Sequence, residues 1–221
     1  MSTSPDQVNR HAERARSARD DLDAVLDAGA VGTLSTVVDG RPWVVPMLYA
    51  RDGDRLVLHG STGAGALRHV AAGAPAALSV VHLDGVVVAQ TTFESSANYR
   101  SAVVHGELVP LAGEDKAAAL DLLSDAVIPG RTAEVRPMIG KELAATLAMA
   151  LPITEGRWTV KIRTGPPAPM DDDATDVERA AWTGVVPLSL TAGTPIPSDW
   201  CPPDAPLPDS VTRLIARHPH P

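Results

Sequence analysis

Hydrophobic and polar positions follow one another in short runs over the first 165 residues, and turn signals separate the runs. Asp39-Gly40 and Asp84-Gly85 are each expected to close a two-residue hairpin. Pro46 lies inside the second run and marks an edge or a bulge, since proline has no N–H for a ladder. Strands are predicted over residues 30–38, 42–50, 55–59, 76–83, 86–91, 99–109 and 153–163. Six or seven short strands joined by such turns predict a mainly β, antiparallel barrel or sandwich.

Helical spacing predicts three peripheral helices, over residues 8–28, 113–127 and 140–150. After Gly165 the chain becomes rich in proline, which excludes long regular elements. This tail is expected to be an arm packed on the barrel as far as about Leu190. The predicted division is a helical or flexible segment (1–19), a barrel domain (20–165) and a proline-rich C-terminal extension (166–221).

Residues 56–70 combine a strand, a glycine-rich turn and a helix in the run LVLHGSTGAGALRHV. The turn offers the hydroxyls of Ser61 and Thr62 and the free N–H groups of a helix start, with Arg68 one turn further on. An anion fits such a place because the first N–H groups of a helix have no internal partner. The alternative is that Ser61 or Thr62 only caps the helix and Arg68 is solvated. The spacing matches neither glycine-rich nucleotide fingerprint.

Composition limits the class of protein. The chain has 221 residues, a formal net charge of −8 and one cysteine, Cys201. The acidic balance argues against nucleic acid or a membrane surface as the partner. A single cysteine fits a reducing compartment, and the charged N-terminal stretch does not resemble a signal peptide. A cytoplasmic protein is therefore expected, and no set of ligands at suitable spacing predicts a metal site.

Three features carry a resemblance to a known family. They are the strand ending in His59 before the glycine-rich turn and helix, the Tyr99-Arg100-Ser101 run that opens a later strand, and the helix GEDKAAALDLLSDAVIPGR. With them the chain resembles the FMN-binding split-barrel superfamily, which includes the pyridoxamine 5′-phosphate oxidases, and more closely its nitroimidazole-reductase-like branch. The resemblance implies a six- to seven-stranded antiparallel Greek-key split β-barrel with peripheral helices and a proline-rich arm.

The resemblance also implies an FMN-dependent oxidoreductase for a small organic substrate, with NAD(P)H as a candidate electron donor. Two FMN molecules would lie at the interface of a homodimer. The implied contacts of the flavin ring are Pro46, Met47, Leu48 and Tyr49. The implied contacts near the phosphate are His59, Gly60, Ser61 and Thr62, with Arg68 or Arg100 as the phosphate arginine. Tyr99 and Ser101, on either side of Arg100, are implied cofactor contacts as well. The alternative for either arginine is an ion pair with an acidic residue.

His59 matches the histidine beside the flavin in nitroimidazole-reductase-like proteins. Because its pKa lies near neutrality, it is the predicted catalytic residue, acting as a proton donor; otherwise it is a structural histidine. Two alternatives stay open: a split barrel that uses F420 or haem, and a flavin-binding or sensing protein without turnover. The tail lacks the basic substrate-phosphate motifs of true pyridoxamine phosphate oxidases, so oxidation of vitamin B6 is not expected.

Overall fold

The computed structural model describes residues 6–63 and 65–219. Within these residues most of the regular structure is β. The strands are β1 (Ala15–Arg16), β2 (Val31–Val38), β3 (Arg41–Asp52), β4 (Arg55–Ser61), β5 (Pro75–Val88), β6 (Ser96–Glu107), β7 (Val109–Pro110), β8 (Thr146–Pro152), β9 (Trp158–Arg163) and β10 (Gly184–Pro187). The helices are α1 (Arg19–Asp27), α2 (Gly65–Ala71), α3 (Gly113–Val127), α4 (Gly140–Ala145), α5 (Asp176–Ala180) and α6 (Asp209–Arg217).

All strand pairs are antiparallel, in the order β1-β9-β6-β5-β2-β3-β4-β8-β7, and β10 pairs with β5. β3 joins two sheets, because its residues 41–48 pair with β2 and its residues 49–52 pair with β4. A strand that leaves one sheet for another is what opens a barrel into a split barrel. The predicted mainly β, antiparallel split barrel is confirmed, although the described part of the chain has ten strands rather than six or seven.

Pro46 lies where β3 is an edge strand. The β2–β3 register runs without a break through the pair Thr33–Pro46, and β4 pairs with β3 only from Tyr49 onward. The missing N–H of the proline therefore breaks no ladder on the open side. Of the two predicted explanations, the edge is correct.

The predicted hairpin at Asp84-Gly85 is wrong, and the two runs around it form one strand. β5 continues through this dipeptide, and the β5–β6 register shifts between Leu83 and Gly85, which makes it a β-bulge. β10 packs so closely here that a Cβ on Gly85 would lie 2.9 Å from the Val186 carbonyl oxygen. Asp39-Gly40, by contrast, forms the predicted turn, with φ angles of 50° and 72°.

Of the three predicted peripheral helices, only α3 matches its predicted range, and the helix expected after the glycine-rich turn is α2. The helix predicted over residues 8–28 is only nine residues long, α1. The helix predicted over 140–150 ends at Ala145, and the chain then enters β8, whose Ala148 to Leu151 stretch is buried between β4 and β7. Pairing on both sides overrides the helix propensity of this Ala-, Leu- and Met-rich run. The tail packs on the barrel through β10, as predicted, and α6 was not predicted.

The core has two parts. The larger fills the barrel and contains the fully buried Leu22, Tyr49, Leu58, Leu78 and Met149. The smaller lies between α3 and the sheet, where Leu120 and Leu123 pack on Ala50, Val57 and Ala148. Among the described helices, none has the length and apolar character needed to span a bilayer.

Candidate functional site

A cleft of about 450 Å³ lies between the sheet and α3. The sheet contributes Leu48, His59 and Thr146, and the end of α3 with the turn after it contributes Leu123, Val127 and Ile128. The amphipathic pattern of α3 explains the wall, because the face that buries Leu120 and Leu123 against the sheet continues into the cleft. A mostly apolar cavity of this size is within the usual range for small-molecule and cofactor sites.

His59 is one of the polar residues that line this cleft. It lies on β4 opposite Ala148 of β8, and its Nδ1 atom is buried without a hydrogen-bond partner among the described residues. An unpaired buried polar atom costs about 1–3 kcal/mol, so native structures rarely keep one without a reason. The imidazole of His59 is therefore available for a proton, a ligand or a metal ion.

Two arginines follow α3 at the mouth of the cleft. Arg131 donates to Glu134 at 3.2 Å, and Arg136 makes a two-point ion pair with Glu142 at 2.6 and 2.9 Å. The hydrogen bonds from Arg136 and from the backbone N–H of Ile139 lower the pKa of Glu142 to about 2. The Arg136 pair thus fixes the loop that leads into α4.

The glycine-rich turn forms where the sequence predicts it, but its donors are turned inward. The backbone N–H and the hydroxyl of Thr62 both donate to the Ala145 carbonyl at 3.3 Å, and the Ser61 hydroxyl accepts from the N–H of Gly63. Gly60 is needed for packing, since a Cβ there would lie 2.2 Å from Leu67 Cδ1 of α2. Arg68 is exposed and has no ion pair within the described ranges 6–63 and 65–219, which leaves it free to bind an anion.

The predicted flavin strand divides into two faces. Burial alternates along β3, so that Pro46 and Leu48 face outward while Met47 packs against the core. Tyr49 is fully buried, and its hydroxyl donates to the Leu26 carbonyl at 2.5 Å. This burial raises the pKa of Tyr49. Pro46 and Leu48 can meet a flavin ring on the outer surface, whereas Tyr49 is a core residue in this structure.

The Tyr99-Arg100-Ser101 run lies on β6, outside the cleft. Arg100 makes a two-point ion pair with Asp84 at 2.8 and 2.9 Å, which is the alternative considered for it from the sequence. Ser101 donates to the Lys161 carbonyl at 3.3 Å, and Tyr99 is half-buried. Within one chain, the structure does not bring these three residues together with His59, since β5 and β2 separate β6 from β3.

The cleft was not predicted from the sequence, although the apolar helix face that forms one of its walls was. The predicted apolar face of residues 113–127 is the wall that α3 contributes. Arg131 and Arg136 carry no pattern of their own, because they lie in a loop whose course depends on packing against the tail. The clue to the cleft was the position of α3 directly after the strand that ends near Val109. No local sequence rule connects α3 with His59.

An uncharged surface covers the outer face of β2, β3 and β5. The register places Val31 beside Leu48 and Ser35 between Val44 and Ala77 on this face. Four of its valines are more than half exposed: Val31 (59%), Val37 (57%), Val44 (58%) and Val81 (67%). Solvent-exposed apolar patches of this kind usually mark a binding surface.

The antiparallel strand order, with β3 shared between two sheets, defines a split β-barrel. The family whose sequence profile matches residues 18–159 is described as pyridoxamine 5′-phosphate oxidase, and the chain belongs to that family. Comparison with curated proteins gives no match.

Solved structures extend the likeness over nearly the whole chain. The chain is similar to the FAD and haem binding protein of Mycobacterium smegmatis, with 45% identity, a TM-score of 0.87, and coverage of 91% of this chain and 97% of that one. It is also similar to the flavocytochrome Anf3 of Azotobacter vinelandii, with 30% identity, a TM-score of 0.85 and 96% coverage of both chains. A putative 5-nitroimidazole antibiotic resistance protein of Bacteroides thetaiotaomicron shares the fold at 17% identity, with a TM-score of 0.56 over 67% of this chain and 86% of that one.

Proposed function

We propose that this protein is a redox protein that binds a flavin and a haem, with the haem in the cleft beside α3. The observation that carries the proposal is His59, which lines a mostly apolar cleft and whose buried Nδ1 has no hydrogen-bond partner among the described residues. Histidine is a common axial ligand of haem iron, and an apolar pocket suits the macrocycle. Two similar proteins support the choice of cofactors, since one is described as an FAD and haem binding protein and the other as a flavocytochrome.

The residues of the cleft fit a haem in three respects. His59 offers an imidazole nitrogen at the sheet side, and Leu123, Val127 and Ile128 offer the opposite apolar wall. Arg131 stands at the mouth, where a carboxylate substituent can meet a positive charge. When bound there, the haem supplies one-electron chemistry, while the protein fixes its axial ligand, its solvent access and the charge around it.

The flavin belongs on the outward face of β3 in this proposal. Pro46 and Leu48 face outward there, and Leu48 also lines the cleft. A flavin ring over Pro46 and a haem beside His59 would therefore lie on opposite sides of Leu48. Arg68 is the candidate for the flavin phosphate, since its guanidinium is free in the described part of the chain while Arg100 is held by Asp84. His59, as the haem ligand, takes the place of the proton donor expected from the sequence.

A second copy of the chain completes the flavin site. The outer face of β2, β3 and β5 is apolar or small and carries no charge at Val31, Ser35, Val44, Leu48 and Ala77. A twofold dimer brings the same face of both copies together, and an uncharged face places no like charges opposite each other there. We expect light scattering of the purified protein to give a dimer, and a monomer at micromolar concentration with cofactor present would contradict this.

The proposed activity is electron transfer between a reduced nicotinamide or flavin donor and a small acceptor. FAD is the expected flavin, and FMN, which the resemblance implies, is the competing one. A flavin-binding protein without turnover is the second candidate, since the cofactor carries the chemistry and no residue need be catalytic.

The ligands released on denaturation test the proposal. The purified protein should show flavin bands together with a Soret band, and mass spectrometry of the released ligands should find haem and FAD. Flavin without haem, even after haem is added to the purified protein, would contradict the two-cofactor proposal and favour the flavin-only candidate. Bound flavin that neither NADH nor NADPH reduces and no acceptor reoxidises would support the protein without turnover.

A further inference from the structure

The two arginines at the mouth of the cleft differ in the donors they keep free. A guanidinium has five N–H donors. Arg136 makes two hydrogen bonds to Glu142 and one to the Pro137 carbonyl at 3.0 Å. Arg131 makes one, to Glu134, among the residues that the structure describes. Arg131 therefore keeps most of its donors for a ligand, and Arg136 does not.

Glu134, the partner of Arg131, is fixed from the other side by the C-terminal helix. Its carboxylate accepts from the backbone N–H of Ser210 at 2.8 Å and from the Ser210 hydroxyl at 2.5 Å. Ser210 is completely buried, and Arg213 lies 3.8 Å from the same carboxylate. Glu134 is thus held in place by α6 and offers Arg131 a fixed anchor rather than a mobile counter-ion.

Further contacts fix α6 along the outer wall of the cleft. Arg213 donates to the Pro129 carbonyl and Arg217 to the Ala126 carbonyl, both at 2.9 Å. Gly130 has a φ of +77°, and a Cβ there would lie 2.5 Å from Arg213 Nη2. A side chain at position 130 would therefore displace Arg213, so the turn between α3 and Arg131 is shaped to receive α6.

We infer that Arg131 binds a carboxylate group of the molecule in the cleft, and that α6, acting through Glu134, is the element that positions Arg131 for it. The inference rests on the proposed function, in which the carboxylates are the haem propionates. Arg131 is the binding residue, whereas Glu134 and Ser210 are positioning residues that touch no ligand. A carboxylate fits because a guanidinium meets its two oxygens with parallel N–H groups.

Titration of the purified full-length protein with haem and with haem dimethyl ester tests this. The two probes share the macrocycle and the iron, but the ester has no carboxylates. The wild type should bind haem more tightly than the ester, and Arg131→Ala should weaken haem roughly 10- to 100-fold while leaving the ester unchanged. Arg131→Lys should restore part of the preference, and Arg136→Ala should keep it.

The positioning role has its own control. Glu134→Gln should lower the preference for haem over the ester, and so should Ser210→Ala, which removes the α6 hydroxyl bonded to Glu134. Arg217→Ala removes only the hydrogen bond to the Ala126 carbonyl, at the end of α6 away from Ser210, and should lower the melting temperature without changing that preference. Equal weakening of both probes by Arg131→Ala and Glu134→Gln would show a structural role and overturn the inference. Equal binding of haem and ester by the wild type would overturn it as well. A wild type that binds neither probe would refute the proposed haem function and the inference with it.

Discussion

The glycine-rich turn and the cleft beside α3 lie on the two sides of His59 and differ in how their polar groups are satisfied. In the turn, Thr62 donates twice to the Ala145 carbonyl and Ser61 accepts from Gly63. In the cleft, the Nδ1 of His59 is buried without a partner among the described residues. The sequence of the turn suggests an anion site, yet the polar atom without a hydrogen-bond partner belongs to His59 at the cleft. A glycine-rich pattern reports how closely elements pack, whereas a free buried polar atom reports what a site can still bind.

The largest expected effect concerns Arg68, the candidate for the flavin phosphate near the glycine-rich turn. Arg68→Ala should weaken flavin nucleotide binding by on the order of 2–5 kcal/mol, provided that the dimer desolvates the contact, and should leave riboflavin binding unchanged. Arg100→Ala should lower the melting temperature instead, since it breaks the ion pair with Asp84. Fluorescence titration with the nucleotide and with riboflavin measures the difference. A selective loss in Arg100→Ala and none in Arg68→Ala would reverse the assignment.

A smaller effect separates the core face of β3 from its outer face. Tyr49→Phe removes the hydroxyl bonded to the buried Leu26 carbonyl and should cost about 1–3 kcal/mol of stability. Flavin affinity should stay the same, because Tyr49 faces the core. Urea unfolding together with a flavin titration tests both statements. Weakened flavin binding at unchanged stability would place Tyr49 at the cofactor after all.

The smallest effect is a dependence on pH at the mouth of the cleft. Arg136 lowers the pKa of Glu142 from its ordinary 4.5 to about 2. A carboxylate with a lowered pKa stabilises the folded state above its ordinary pKa, and this contribution is lost as the pH falls from about 4.5 towards 2. Glu142→Gln should therefore melt below the wild type at pH 7, with the gap closing at acidic pH. A gap that is independent of pH would show that the charge of Glu142 is not its source.

Local rules predicted the parts of the fold that local chemistry decides. The turn at Asp39-Gly40, the edge at Pro46 and the helix α3 all follow from residue types and spacing. β8 and the Asp84-Gly85 bulge do not, because pairing with β4 and packing by β10 decide them, and neither is visible in a short window. His59 was predicted as a functional residue from its place before the turn, but its surroundings depend on α3, which is distant in sequence.

The most direct test is the absorption spectrum of His59→Ala beside the wild type, with His69→Ala as the control. The His69 imidazole bonds the Val37 carbonyl at 3.0 Å and does not line the cleft, so its loss should leave the cofactors in place. The wild type and His69→Ala should show flavin bands and a Soret band, while His59→Ala should keep the flavin bands and lose the Soret band. A His59→Ala protein that keeps a full, unshifted Soret band would contradict haem ligation by His59. If that protein also reoxidised its flavin about 10²–10⁴-fold more slowly, His59 would be the proton donor expected from the sequence.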